Sequence, residues 1–147
     1  MGKFFSNGVS GTAAAPQTAL TVVGATTVRP RIYDIIIGSV ATPADAQVTM
    51  TVRRFTAAGT ATAVTPEPIE GGGAVALATS GQTHSAEPTY AGIGMAIPIH
   101  QRGTFRWVAR QGGELSPPLT AANGYGVART ANTTGTPAMQ AVIHWEE

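Results

Sequence analysis

The stretch QVTMTVRRFT, residues 47–56, decides the fold class. Val48, Met50 and Val52 alternate with Thr49, Thr51 and Arg53. A period of two puts the first set on one face of a strand and the second on the other. Working outward, Ala57-Ala58-Gly59 ends this strand, and TATAVT (60–65) reads as its hairpin return. Upstream, RIYDIIIG (31–38) is apolar on both faces at Ile35, Ile36 and Ile37, as in a strand covered on both sides. TALTVVG (18–24) also reads as a strand. Downstream, AGIGMAIPI (91–99) sets Ile93, Met95, Ile97 and Ile99 on one face, and its Pro98 marks an edge or a bulge because proline cannot donate to a ladder. TFRWVAR (104–110) turns Phe105 and Trp107 inward and Arg106 and Arg110 outward. GYGVARTA (124–131) and TPAMQAVIHWE (136–146) read as a closing hairpin across residues 132–135. AVALAT (74–79) reads as a short strand or one helical turn, and SGQTHSAEPTY (80–90) as a polar loop.

Composition agrees with this pattern. The chain holds 12 Val, 9 Ile and 21 Thr against 4 Leu, and β-branched side chains fit a pleated surface better than a helix. With 18 Gly and 10 Pro spread along the chain, long helices have little room. Seven to nine short strands separated by turn signals predict an all-β antiparallel sandwich, jelly-roll-like. A TNF-like or immunoglobulin-like sandwich is the alternative. At 147 residues the chain suits one domain, which buries roughly two-thirds of its unfolded surface. That domain spans residues 18–147. Residues 1–17 (MGKFFSNGVSGTAAAPQ) read as an extended N-terminal arm, either a flexible terminus or one whose Phe4 and Phe5 dock into a neighbour. No apolar run of signal-peptide length follows Lys3.

Several function classes lose support. There is no cysteine, hence no disulfide framework or thiolate metal site. A net charge of +1 from 9 basic and 8 acidic residues argues against a nucleic-acid or anionic-membrane surface. His84, His100 and His144 make no close pair, so the metal site of an enzymatic jelly roll is not expected. Asp34 reads as a hydrogen-bonded or salt-bridged structural carboxylate, and Glu67 and Glu70 as solvated loop acids. The Gly71-Gly72-Gly73 triplet lacks the lysine and hydroxyl of a phosphate loop. Asn132-Thr133-Thr134 matches a glycosylation acceptor, which matters only in a eukaryotic secretory pathway. No catalytic residue, metal or cofactor is expected, and the chain reads as a non-enzyme. Only 12% of residues are charged against about 25% usually, as when partners cover much of the surface. Eight of the nine basic residues are arginines, which suit interfaces better than lysines do. Candidate partner-binding residues are therefore Phe4, Phe5, Arg53, Arg54 and Arg106.

Residues 29–70 (RPRIYDIIIGSVATPADAQVTMTVRRFTAAGTATAVTPEPIE), residues 84–110 (HSAEPTYAGIGMAIPIHQRGTFRWVAR) and the ending AVIHWEE resemble capsid decoration, or cement, proteins of tailed bacteriophages. The likeness covers most of the chain after residue 17. It implies a jelly-roll virion protein, made in the host cytoplasm, that binds the outer capsid surface. There it would act as a homo-oligomer, dimer or trimer, bracing neighbouring major capsid subunits. Where the family carries more acidic residues after Pro43-Ala44-Asp45, this sequence has Ala46-Gln47-Val48. The competing expectation is a receptor- or glycan-binding jelly roll of a tail or fibre, with Tyr90 and Tyr125 stacking from loops.

Overall fold

A computed structural model of the chain describes residues 1–131 and 135–147, so the Asn132-Thr133-Thr134 acceptor lies outside the described residues. Eleven strands and no helix are found among them: β1 (Lys3–Val9), β2 (Gln17–Val23), β3 (Arg31–Ala41), β4 (Gln47–Ala57), β5 (Thr60–Val64), β6 (Glu67–Pro68), β7 (Thr79–Ala86), β8 (Thr89–His100), β9 (Thr104–Val108), β10 (Gly124–Arg129) and β11 (Ala138–Glu146). They form two sheets, ordered β6-β1-β11-β3-β9 and β5-β7-β2-β10-β4-β8, and every pairing is antiparallel.

The pairings nest. β1 lies beside β11, β2 beside β10, β3 beside β9 and β4 beside β8, with successive pairs alternating between the sheets. A long antiparallel ribbon rolled up in this way is a jelly roll. The expected all-β sandwich is therefore present. The alternation read from the sequence also holds on β4: Val48, Met50 and Val52 are buried in the core with Leu20, Val22 and Val127 of the same sheet. Ile32, Ile35, Ile37, Met139, Ala141, Ile143 and Trp145 line the inner face of the other sheet.

Four expectations are corrected. Residues 3–9 are not an arm. They form β1, hydrogen-bonded to β11 on one side and to β6 on the other. Strands β10 and β11 are not a hairpin: they belong to different sheets. The stretch 80–90 is not a loop, because Thr79–Ala86 is β7. Finally, β5 does not fold back on β4 but pairs with β7.

That last pairing shapes the molecule. The β4–β8 ladder ends with Ala57 opposite Thr89, and the β5–β7 ladder begins with Thr60 opposite Ala86. The two ladders form one ribbon, bent at residues 58–59 and 87–88. Gly59 permits the bend: its φ is +71°, and a Cβ there would lie 2.2 Å from the Ala86 carbonyl oxygen. Beyond the bend β7 joins β2 at the opposite side of the same sheet. The ribbon thus crosses the outer face of the second sheet and covers part of it.

Candidate functional site

The two outer faces differ. On the second sheet the crossing ribbon buries a small polar and aromatic cluster. Thr18 donates to Glu87 and shares a 2.8 Å hydrogen bond with the Tyr90 hydroxyl. Phe55 packs edge-on against Tyr90, and both rings rest on β10 where Gly124 and Gly126 leave room. The Arg53 guanidinium stacks over the Tyr90 ring at 4.8 Å and donates to the Gly92 carbonyl at 3.2 and 3.0 Å. Burial pushes the Tyr90 phenol above its usual pKa. The same cause lowers the pKa of His84, partly offset by the Glu87 charge.

Among the described residues, the outer face of the first sheet carries no such cover. It presents Phe5 from β1, Val142 and His144 from β11, Tyr33, Asp34 and Ile36 from β3, and Arg106 from β9. These residues come together because outward positions of neighbouring strands stand side by side: Phe5 opposite His144, His144 opposite Asp34, Ile36 opposite Val142 and Arg106. A bulge between His144 and Trp145 brings Tyr33 beside the same row. The Phe5 and Tyr33 rings flank His144 at centroid distances of 5.8 and 6.2 Å. A shallow hollow of about 220 Å³ opens at Gly38, between Ile36, Val142, Gln140, Ser39 and Thr104.

At the centre of this face lies Asp34, its side chain only 7% exposed. Arg106 closes over it with a fork of bonds, Nε at 3.0 and 3.2 Å and Nη2 at 2.6 Å. This geometry holds the guanidinium in one orientation and raises its pKa, chiefly through the hydrogen bond to the carboxylate. His144 Nδ1 stands 3.8 Å from the same carboxylate. At one end Arg31 bridges Glu114 and Glu146 at 3.1 and 3.0 Å. The result is a fixed platform of partly buried rings, two aliphatic side chains and an ion-paired arginine.

Of the five residues singled out from the sequence, only Phe5 and Arg106 share this face. Arg53 and the exposed Arg54 lie on the second sheet. Phe4 is 2% exposed and stacked on Trp145 in the core, so it is no anchor for a neighbour. Tyr90 and Tyr125 are not presented from loops: one is under Arg53 and the other packs on the core. His144 reads from sequence as a strand residue on a partner-facing or solvent face, and Tyr33, Ile36 and Val142 carry no signal of their own beyond the two-sided apolar run at 35–37, which marks this face as less polar than a solvated one. Among the described residues, no three His, Asp or Glu side chains gather as metal ligands. Comparison of the chain with protein families, curated proteins and solved structures finds no match.

Proposed function

We propose that the protein is a cement protein of a tailed-bacteriophage capsid, binding the outer shell surface and bracing neighbouring major capsid subunits. The resemblance in residues 29–70 and 84–110 suggests the partner. The observation that carries the reading is the asymmetry of the two outer faces: one is overlain by the chain's own ribbon, the other is an uncovered apolar and aromatic platform. A sheet face of this kind binds flat protein surface, with rings and aliphatic groups supplying buried area and a fixed arginine supplying register. Repetition of the contact around a shell multiplies modest affinities into strong retention.

Cosedimentation with empty shells tests this. Wild-type protein should bind saturably. Ile36→Glu combined with Val142→Glu, which puts two carboxylates on the platform, should abolish binding, while Arg54→Glu on the other sheet should leave it intact. Binding by all three proteins alike would move the contact off the platform. If the wild type ignores shells and instead binds oligosaccharides, a tail or fibre module becomes the better reading, with Phe5, His144 and Tyr33 as its stacking row.

A further inference from the structure

A jelly roll has four sheet edges, and an open edge is a template for another strand unless the chain blocks it. Two edges here are blocked. On the first sheet β6 covers β1, and it consists of Glu67 and Pro68 with Pro66 just before. On the second sheet β8 is interrupted by Gly92 and Gly94, both at positive φ, and carries Pro98. The bond from Gln101 N to Ala46 O sets the alternation along β8: residues 97, 99 and 101 turn their peptide groups toward β4. The Pro98 nitrogen therefore sits on the outward side, where a docking strand would need a donor.

Among the described residues, the other two edges are bare. On β9 the bond from Ala109 N to Tyr33 O fixes the alternation in the same way. Residues 105, 107 and 109 turn toward β3, and Thr104, Arg106 and Val108 present their N–H and C=O groups outward. No described strand pairs there. The only charge on the edge, Arg106, is drawn back onto Asp34. On β5, Thr-Ala-Thr-Ala-Val, there is no charge and no proline, and four of its five residues are exposed.

We propose that these two edges join: β5 of one copy adds to β9 of the next, extending the sheets from copy to copy. Both strands have five residues. Pairing of β9 with itself over its full length, about a twofold axis at its centre, would set Arg106 directly opposite its own copy, and like charges facing across a ladder repel. The neutral β5 offers no such conflict. Because the contact uses a different surface on each side, it propagates head to tail and closes into a ring or runs on as a chain. The contact needs no shell, so its failure and that of the capsid reading are separate results.

Sedimentation mass measured against concentration tests it. Val108→Pro removes a donor that points outward and spares the ladder to β3. Ala61→Lys with Ala63→Lys places gatekeeper charges on β5. Wild type should rise above its 15.0 kDa monomer mass with concentration. Each variant alone should stay at the monomer mass with an unchanged circular dichroism spectrum. An equimolar mixture should reach twice the monomer mass and stop, since the proline copy keeps β5 and the lysine copy keeps β9. A wild type monomeric at every concentration overturns the proposal. So does association by either folded variant alone, or a mixture that stays monomeric. If Val108→Pro does not fold, the lysine variant decides alone: monomer supports the contact and association overturns it.

Discussion

The residue that most departs from ordinary practice is Arg129. It points into the sandwich from β10, is fully buried, and among the described residues donates to the Ala13 carbonyl alone, with no partner there for Nε and Nη1. Desolvation lowers its pKa, the expected response of a charge without a counterion. A buried ion left unpaired costs more than an apolar group of similar length in the same place. Arg129→Met should therefore stabilise the fold by roughly 1–3 kcal/mol. Thermal melting reads this, at about 2–4 °C per kcal/mol for a chain of this length. The freed Ala13 carbonyl is exposed and returns to water. Melting at or below the wild-type temperature would mean that the guanidinium has partners that offset its burial. His84 makes a second test. Its lowered pKa means that the unfolded chain takes up the proton first, at about pH 6.5. Stability is thus intact above that pH and falls as the pH drops through it toward the folded value. His84→Gln removes this contribution, so its melting temperature should fall less than the wild type's between about pH 7 and pH 5. Parallel curves would refute it.

At the scale of elements, the sequence announces strands far better than it announces their neighbours. Alternation in 47–56 and the apolar run in 31–38 locate β4 and β3 because each has an apolar face to bury. Strand β7, TSGQTHSA, has almost no apolar residue, so no periodicity marks it. It is held by ladders on both sides, to β2 and β5, which is long-range information. The hairpin expected across residues 132–135 fails for a related reason. Sequential strands usually pair, but a rolled ribbon sends them to opposite sheets and pairs each with a distant partner. The glycines at 124 and 126 stand inside a strand, β10, where the sequence pattern gives them no role. Their role is in packing: a Cβ at Gly124 would lie 2.0 Å from the Val22 carbonyl oxygen, and one at Gly126 2.5 Å from the Tyr90 hydroxyl. The candidate site was half legible. Phe5 and Arg106 carry its ends, but the bulge that adds Tyr33 and the pairing that sets Asp34 under Arg106 depend on register across three strands.

For the whole molecule, the decisive matter is whether the first nine residues belong to the fold. A Gly- and Ala-rich start suggests a tether, yet β1 sits between β6 and β11 and continues the sheet. Adjacent residues on a strand face opposite ways, so the two phenylalanines have different work. Phe4 fills the core against Trp145, and Phe5 lies on the outer platform beside His144. Phe4→Ala should then cost about 3–5 kcal/mol, as for other large-to-small core changes. Phe5→Ala, at a partly buried position on the outer face, should cost less, about 1.5 kcal/mol. Denaturant melts of the pair read the difference directly. Deleting residues 1–9 removes a strand of the roll and uncovers the edge of β11, so the truncated chain should lose its cooperative transition. A truncated protein that melts like the wild type, or equal costs for the two alanine variants, would return residues 1–9 to the status of a tether. The same reasoning governs the shell-binding test. Loss of binding on truncation would report an unfolded sandwich, whereas paired substitutions on the platform leave every strand in place and change only the surface a shell would meet.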